Sequence, residues 1–249
     1  MGGSPTVRSV DRSFDLLALF DQRHPTLPLR DIVELSGLPK TTVVRLLAVL
    51  RERGIVSENE AGVYTVGATL LSWVRTAESL WQVNASTRTV MDELVREFGE
   101  TVTVYVRQGQ HRTPIALSEG THTVRNAVAL GSLLPLHLGA ASLVLLGGAP
   151  GVVQGVVDDD PSIDAESLRR RLEQVVEAGY AESDGEREVG AAAIAAPVRG
   201  RTERVVAALS ISGPSSRFDR TRRAEARDAL LRAVARLDEV GLGPVEGLL

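Results

Sequence analysis

The sequence has no cysteine, which excludes disulfides, thiolate metal sites and cysteine nucleophiles. Lysine is almost missing as well, with Lys40 alone among 28 cations. There is no excess of positive charge: the net charge is −4, which argues against a chain wrapped in nucleic acid by bulk attraction. Charge of either sign is absent over the 32 residues from Asn126 to Val157. That run contains six glycines, and Pro135 and Pro150 limit its uninterrupted stretch to 14 residues with His137 inside. A spanning helix needs ~20 apolar residues, so the run reads as buried core and no membrane partner is expected. The N-terminus lacks the apolar region of a secretion signal, and the cytoplasm fits best.

Motifs of catalysis are missing too. There is no P-loop, no GxSxG elbow, no GxGxxG, and His24, His111, His122 and His137 stand isolated rather than in an HExxH pattern. The acidic run Asp158-Asp159-Asp160-Pro161-Ser162-Ile163-Asp164 departs from a calcium loop, with Ile163 at the sixth position and Arg169 at the twelfth. It reads as a loop and helix cap, Asp164 or Ser162 accepting from first-turn N–H groups. No catalytic residue, metal or cofactor is expected. An enzyme assembled from distant residues, such as a hydrolase using His137 with Asp184 or Glu186, is the alternative in that class. A protein-interaction module with a winged helix is the other.

What is present is 249 residues at 43% hydrophobic and 24% charged, a globular chain long enough for one large domain or two small ones. Val10, Phe14, Leu17 and Phe20 recur at helical spacing in a first segment, and Leu29, Ile32 and Val33 in a second. Gly37 interrupts the pattern in Ser36-Gly37-Leu38, where a tight turn requires positive φ. From Pro39 a third helix carries Val43, Leu46, Leu47 and Leu50 on one packed stripe, ending near Gly54. Ile55–Glu58 and Val63–Val66 form a hairpin. This order is the outline of a winged helix-turn-helix.

Opposite the apolar stripe of the third helix lie Lys40, Thr41, Thr42, Val44 and Arg45, small or polar groups able to reach base edges. Arg45 reaches either a phosphate or a guanine. Val7 to Arg75 holds 9 basic against 8 acidic residues, a balance that permits DNA contact, while Glu58 and Glu60 disfavour a phosphate-gripping hairpin.

Ala68–Trp81 returns to helix, with an apolar stripe (Leu70, Val74, Ala77, Trp81, flanked by Leu71, Trp73 and Leu80) too broad for a lone exposed helix and suited to a symmetry mate. Beyond Asn84 a helix carries Met91, Leu94, Val95 and Phe98, and the period then changes to two. Strands are expected at Thr101–Arg107, Arg112–Ser118, Val124–Ala129, Tyr180–Asp184, Ala191–Val198 and Val205–Ser212. Helices are expected at Gly139–Leu146, Ala165–Ala178 and Asp219–Val240. The fold class is α+β, an antiparallel sheet with helices packed on it. The domain reading is 1–67 for DNA, 68–82 as a linking helix and 83–249 for a ligand.

Ser36-Gly37-Leu38-Pro39-Lys40-Thr41-Thr42-Val43-Val44-Arg45-Leu46-Leu47, with Tyr64-Thr65-Val66-Gly67, resembles the DNA-binding domain of the IclR family of bacterial transcription regulators. Gly131-Ser132-Leu133-Leu134-Pro135-Leu136-His137, Gly179-Tyr180-Ala181, Ala195-Ala196-Pro197-Val198 and Ser210-Ile211-Ser212-Gly213-Pro214 resemble that family's effector-binding domain, in the same order. The resemblance implies a GAF-like effector domain, a homodimer or dimer of dimers, and control of genes by a small organic ligand. Where the family commonly carries a Gly-Lys pair after the Pro-Leu-His motif, this chain has Ser142 and Leu143.

A helix opening at Gly139, Ala140, Ala141 and Ser142 offers backbone N–H groups unobstructed by large side chains, which suits a carboxylate. The resemblance adds Leu134, Ser183, Ala191 and Ala193 to the effector cavity, with Asn126 as a further lining residue. Small residues at these positions equally suit close helix-to-sheet packing. The alanines leave room for a bulkier or more apolar ligand. Sequence thus points to a ligand-responsive regulator that reads a pseudo-palindromic operator in double-stranded DNA.

Overall fold

The computed structural model describes residues 7–21, 23–125 and 128–249. They divide into two compact units, one through Ser79 and one from Leu80 onward. The first contains α1 (Arg8–Ala18), β1 (Thr26–Pro28), α2 (Leu29–Ser36), α3 (Lys40–Glu52), β2 (Val56–Glu58) and β3 (Val63–Val66). Gly37 ends α2 at φ +62°, as the turn between α2 and α3 requires. Val43, Leu46, Leu47 and Leu50 are buried as their spacing predicts, against Leu16, Ile32, Ile55 and Tyr64. The hairpin gains a third strand, β1, which pairs Leu27 with Tyr64 in the order β1-β3-β2.

In α1 the outcome differs from the spacing. Leu16 is the buried residue, Leu17 and Phe20 are partly covered, and Val10 and Phe14 face solvent, Phe14 being 62% exposed. The helix meets the core along Leu16, so the residues on its far side form a separate apolar strip. The β2–β3 hairpin is locked by backbone approach: a Cβ on Gly67 would sit 1.9 Å from the Gly54 carbonyl oxygen. Backbone cannot swing aside as a side chain does. Gly67→Ala is therefore expected to destabilise this unit by roughly 1–3 kcal/mol, read as a lower urea midpoint, while the second unit melts unchanged.

The chain then runs into α4 (Leu70–Leu80), in which no residue is buried. Leu70 packs against the first unit's core, and Trp81, just past the helix, against the second unit's core.

The second unit is built on a six-stranded antiparallel sheet of order β6-β5-β4-β9-β8-β7. Its strands are β4 (Thr101–Gln108), β5 (His111–Ser118), β6 (Leu134–Pro135), β7 (Ala181–Asp184), β8 (Ala191–Arg199) and β9 (Val205–Pro214). One face packs against α5 (Ala85–Phe98) and α9 (Arg220–Val240) through Met91, Phe98, Ile194, Leu209, Ile211 and Leu230. The other is covered by α6 (Ala140–Gly147) and α8 (Ala165–Ala178), with α7 (Val153–Asp159) beside them. Helices on both faces of an antiparallel sheet make an α+β, GAF-like domain, as expected. Asn84, Asp164 and Asp219 cap α5, α8 and α9 by accepting first-turn N–H groups.

The charge-free run is explained by α6, whose residues Ala140 to Leu146 are all buried. Among the described residues no single helix is long and apolar enough to cross a membrane. The pair Ala140–Gly147 and Pro150–Asp159 passes on composition together, but it bends by 103°. Two expectations fail locally. No strand forms in the described part of Val124–Ala129: Val124 is exposed and its carbonyl accepts from Arg217 rather than from a ladder partner. Asp158 and Asp159 end α7 instead of lying in a loop, and Asp160 turns the chain by accepting from the Ser162 N–H and hydroxyl.

Candidate functional site

Two surfaces carry the sequence-predicted residues. In the first unit, Lys40, Thr41, Val44 and Arg45 are exposed on α3, with Thr41 and Arg45 opposite the stripe that fills the core, while Thr42 is half-buried at the edge of that stripe. Neither Lys40 nor Arg45 enters an ion pair among the described residues, whereas Arg30 pairs with Asp31 and Arg51 with Glu58. The second of these pairs modifies the reading of the hairpin, because it compensates the carboxylate of Glu58. Burial, and then the same carboxylate, raise the Tyr64 phenol above its ordinary pKa. Glu60 remains exposed.

In the second unit, a cavity of about 30 Å³ lies between the sheet and the start of α6. Gly139, Ala140, Ser183, Ala191 and Ala193 line it, as do Tyr105, Arg112, Ser210 and Ser212, which the sequence reading did not select. Leu134 and Ser142 lie apart: Leu134 sits on edge strand β6, and the buried Ser142 hydroxyl donates to the Pro135 carbonyl at 3.0 Å. Asn126 lies outside the described residues. The alanines do not leave a roomy site, because the Arg112 side chain enters it. A Cβ on Gly139 would be 3.6 Å from Arg112 Nη2.

The α6 N-terminus is less open than the sequence suggests. Its Ala140 N–H donates to Ser183 Oγ at 3.1 Å and the Gly139 N–H to Glu186 Oε2 at 3.3 Å. Glu186 in turn accepts from Arg171 Nη2 at 2.6 Å. β7 and the turn after it thus supply acceptors that a ligand was expected to supply.

Arg112 supplies a cation that composition left unplaced. It is 4% exposed, its guanidinium lies 4.6 Å from the Tyr105 ring centroid, and Nη2 reaches the Leu138 carbonyl at 3.4 Å. Its Nε is unpartnered, and so are the buried hydroxyls of Thr103 and Ser212. Burial pulls the Arg112 pKa below its ordinary value; the Tyr105 side chain opposes that shift and Arg187 adds to it. The strand register, and not the sequence alternation alone, reveals it. Arg112 is two residues from Pro114, which pairs with Tyr105, so it belongs to the sheet face that α6 covers. A cation on a covered face needs a partner. A wider groove of about 1060 Å³, lined by Arg107, Arg201 and Glu246 among others, holds none of the unpartnered buried atoms.

The hydrolase grouping of His137 with Asp184 or Glu186 is not assembled. His137 Nε2 faces Asp160 at 3.8 Å, while Asp184 is held by Arg223 and Glu186 by Arg171. Among the described residues no group of three or more His, Asp or Glu is placed to hold a metal.

Comparison with known proteins bears on both units of the chain. Residues 9–60 match the IclR helix-turn-helix domain, and residues 76–151 and 160–239 match the bacterial transcriptional regulator IclR C-terminal domain. The chain is 32% identical over 224 residues to the HTH-type transcriptional regulator KipR of Bacillus subtilis, covering 86% of this chain and 89% of that one. A solved IclR-family structure from Rhodococcus sp. is 38% identical with a TM-score of 0.65, covering 98% of this chain and 100% of the other. An IclR homolog from Microbacterium hydrocarbonoxydans, solved with 4-hydroxybenzoate, shares the fold at 21% identity and a TM-score of 0.72, covering 96% and 99%. With both domain models matched in order along one chain, this protein belongs to the IclR family of transcriptional regulators, a DNA-binding helix-turn-helix followed by an effector-binding domain.

Proposed function

We infer that the protein acts in the cytoplasm as a homodimer or dimer of dimers, placing α3 of two copies in successive major grooves of a pseudo-palindromic operator. The observation that carries this reading is the exposed side of α3, where Lys40 and Arg45 enter no ion pair among the described residues and the stripe of Val43, Leu46, Leu47 and Leu50 is buried. One copy offers few cations to phosphate, so pairing two copies supplies the charge that one lacks. Residues 1–67 read DNA, 68–82 link, and 83–249 sense a small organic acid at Gly139, Ala140, Ser183, Ala191 and Ala193. The 4-hydroxybenzoate held by the Microbacterium homolog supports an acid as the effector class. The reading needs no catalytic step. An acid bound in the second unit changes DNA affinity only so far as it binds the two assembly states differently.

The test uses DNA from the region upstream of the protein's own coding sequence, followed by fluorescence anisotropy at 50 and 200 mM salt. Wild-type affinity is expected to fall steeply as salt rises. Arg45→Ala is expected to weaken binding tenfold or more with an unchanged melting curve. Arg170→Ala, on the surface of α8 and paired with Glu166, serves as the control. Equal losses in the two variants, or no sequence-selective binding at low salt, overturn the reading.

A further inference from the structure

We propose that Arg112 is the effector's counter-ion, and that the cavity beside it selects a compact aliphatic monocarboxylate. The inference rests on the effector reading above and adds the residue and the chemical class. Arg112 is 4% exposed, yet no described carboxylate lies within 4 Å of its guanidinium. Its neighbours are the Tyr105 ring and hydroxyl, one carbonyl and a second arginine, Arg187, and none of them carries a full negative charge. A buried charge held only by these is undercompensated, and an anion at Nε completes it.

The hydroxyls around it are arranged for the same guest. Ser212 on β9 and Thr103 on β4 are buried on the Arg112 side of the sheet, and neither side-chain oxygen has a partner. Register sets Thr103 against Ser210, and Ser212 against Ala193, so these groups occupy neighbouring positions on one face. Arg112 and Ser212 line the cavity itself and Thr103 lies on the same face beyond its lining, so two unpartnered polar atoms at the cavity match an acid group with a polar tail. Size narrows the class: about 30 Å³ is room for roughly two waters. Any acid larger than two waters displaces part of the lining, and a short aliphatic chain displaces less of it than a benzoate ring does.

The test is calorimetry and thermal shift with acetate, lactate and 3-hydroxybutyrate, each beside its amide, and with 4-hydroxybenzoate. At least one aliphatic acid is expected to bind and raise the melting temperature of the wild type, with its amide tenfold or more weaker. Arg112→Met is expected to lose that binding by tenfold or more, and Arg112→Lys to recover part of it. Ser212→Ala, which removes only a hydroxyl, is expected to weaken the hydroxy acids more than acetate and guards against a misfolded Arg112→Met. Equal binding by Arg112→Met, equal binding of acid and amide, no response to any aliphatic acid, or tighter binding of 4-hydroxybenzoate each overturns the proposal. DNA affinity measured on the same samples separates the two readings. An acid bound through Arg112 without effect on DNA leaves this assignment standing and removes the regulatory one. A DNA response that survives Arg112→Met does the reverse.

Discussion

For the homodimer proposed above, Leu71→Glu combined with Trp73→Glu is expected to leave both units folded, dissociate the pair into monomers and lower operator affinity by a hundredfold or more. Leu71 is 65% exposed and Trp73 57%, and Val74 and Leu80 are exposed on the same helix. Nothing in α4 is buried within one chain. In a two-fold contact each residue is buried twice, and each Leu or Trp side chain removed from water contributes about 1.5–3 kcal/mol. Carboxylates in that seam reverse the sign, because they must be desolvated without partners. The neighbouring positions are unsuitable for the test: Leu70 packs on the first unit's core and Trp81 on the second's, so charge there damages the fold itself. Analytical ultracentrifugation with circular dichroism gives the answer. Unchanged assembly in a folded double variant removes α4 from the interface.

How much of this was legible depended on element length and on what each face meets. α3, α8 and α9 could be read because several turns repeat one apolar stripe, and because Gly37 closes the helix before α3 by backbone freedom while Asp164 and Asp219 cap α8 and α9. The three residues of β1 and two of β6 are too few to show a period, and both strands are defined by distant partners, Tyr64 and Arg112 among them. In α1 the spacing identified apolar residues but not which of them a single chain covers. Val10 and Phe14 are apolar and exposed, while Leu16 alone is fully buried. Periodicity reports that a face will be buried, and it does not distinguish burial by the same chain from burial by another.

The cavity followed a similar rule. Gly139 and Ala140 were visible as the small-residue opening of a helix, whereas Ala191 and Ala193 sit in a run of alanines and were named only through the family resemblance. Arg112 did not stand out, since arginine in a strand is ordinary until the covering helix is placed. Only the arrangement of β5, β4 and α6 turns it into an enclosed charge.

Arg223→Met is expected to destabilise the second unit by about 2–3 kcal/mol and to loosen the cavity from its far side. Arg223 lies at the start of α9, 6% exposed. Its Nε donates to Glu182 at 3.0 Å, Nη2 pairs with Asp184 at 3.2 Å and Nη1 donates to the Phe218 carbonyl at 2.9 Å. Methionine keeps much of the volume but removes every donor, leaving two carboxylates of like sign two residues apart on β7. Their partial exposure lets water reach them, which holds the loss below the 3–5 kcal/mol of a fully buried pair. Glu182 and Asp184 flank Ser183, whose hydroxyl caps Ala140 from the opposite side of the strand. β7 is an edge strand bonded only to β8, so little else holds Ser183 at that distance. Urea unfolding reads the stability, and hydrogen exchange reads β7 and the first turn of α6. Loss of protection confined to those two segments is the expected pattern. Unchanged stability with intact protection across β7 shows instead that the ladder to β8 positions Ser183 without the arginine clamp.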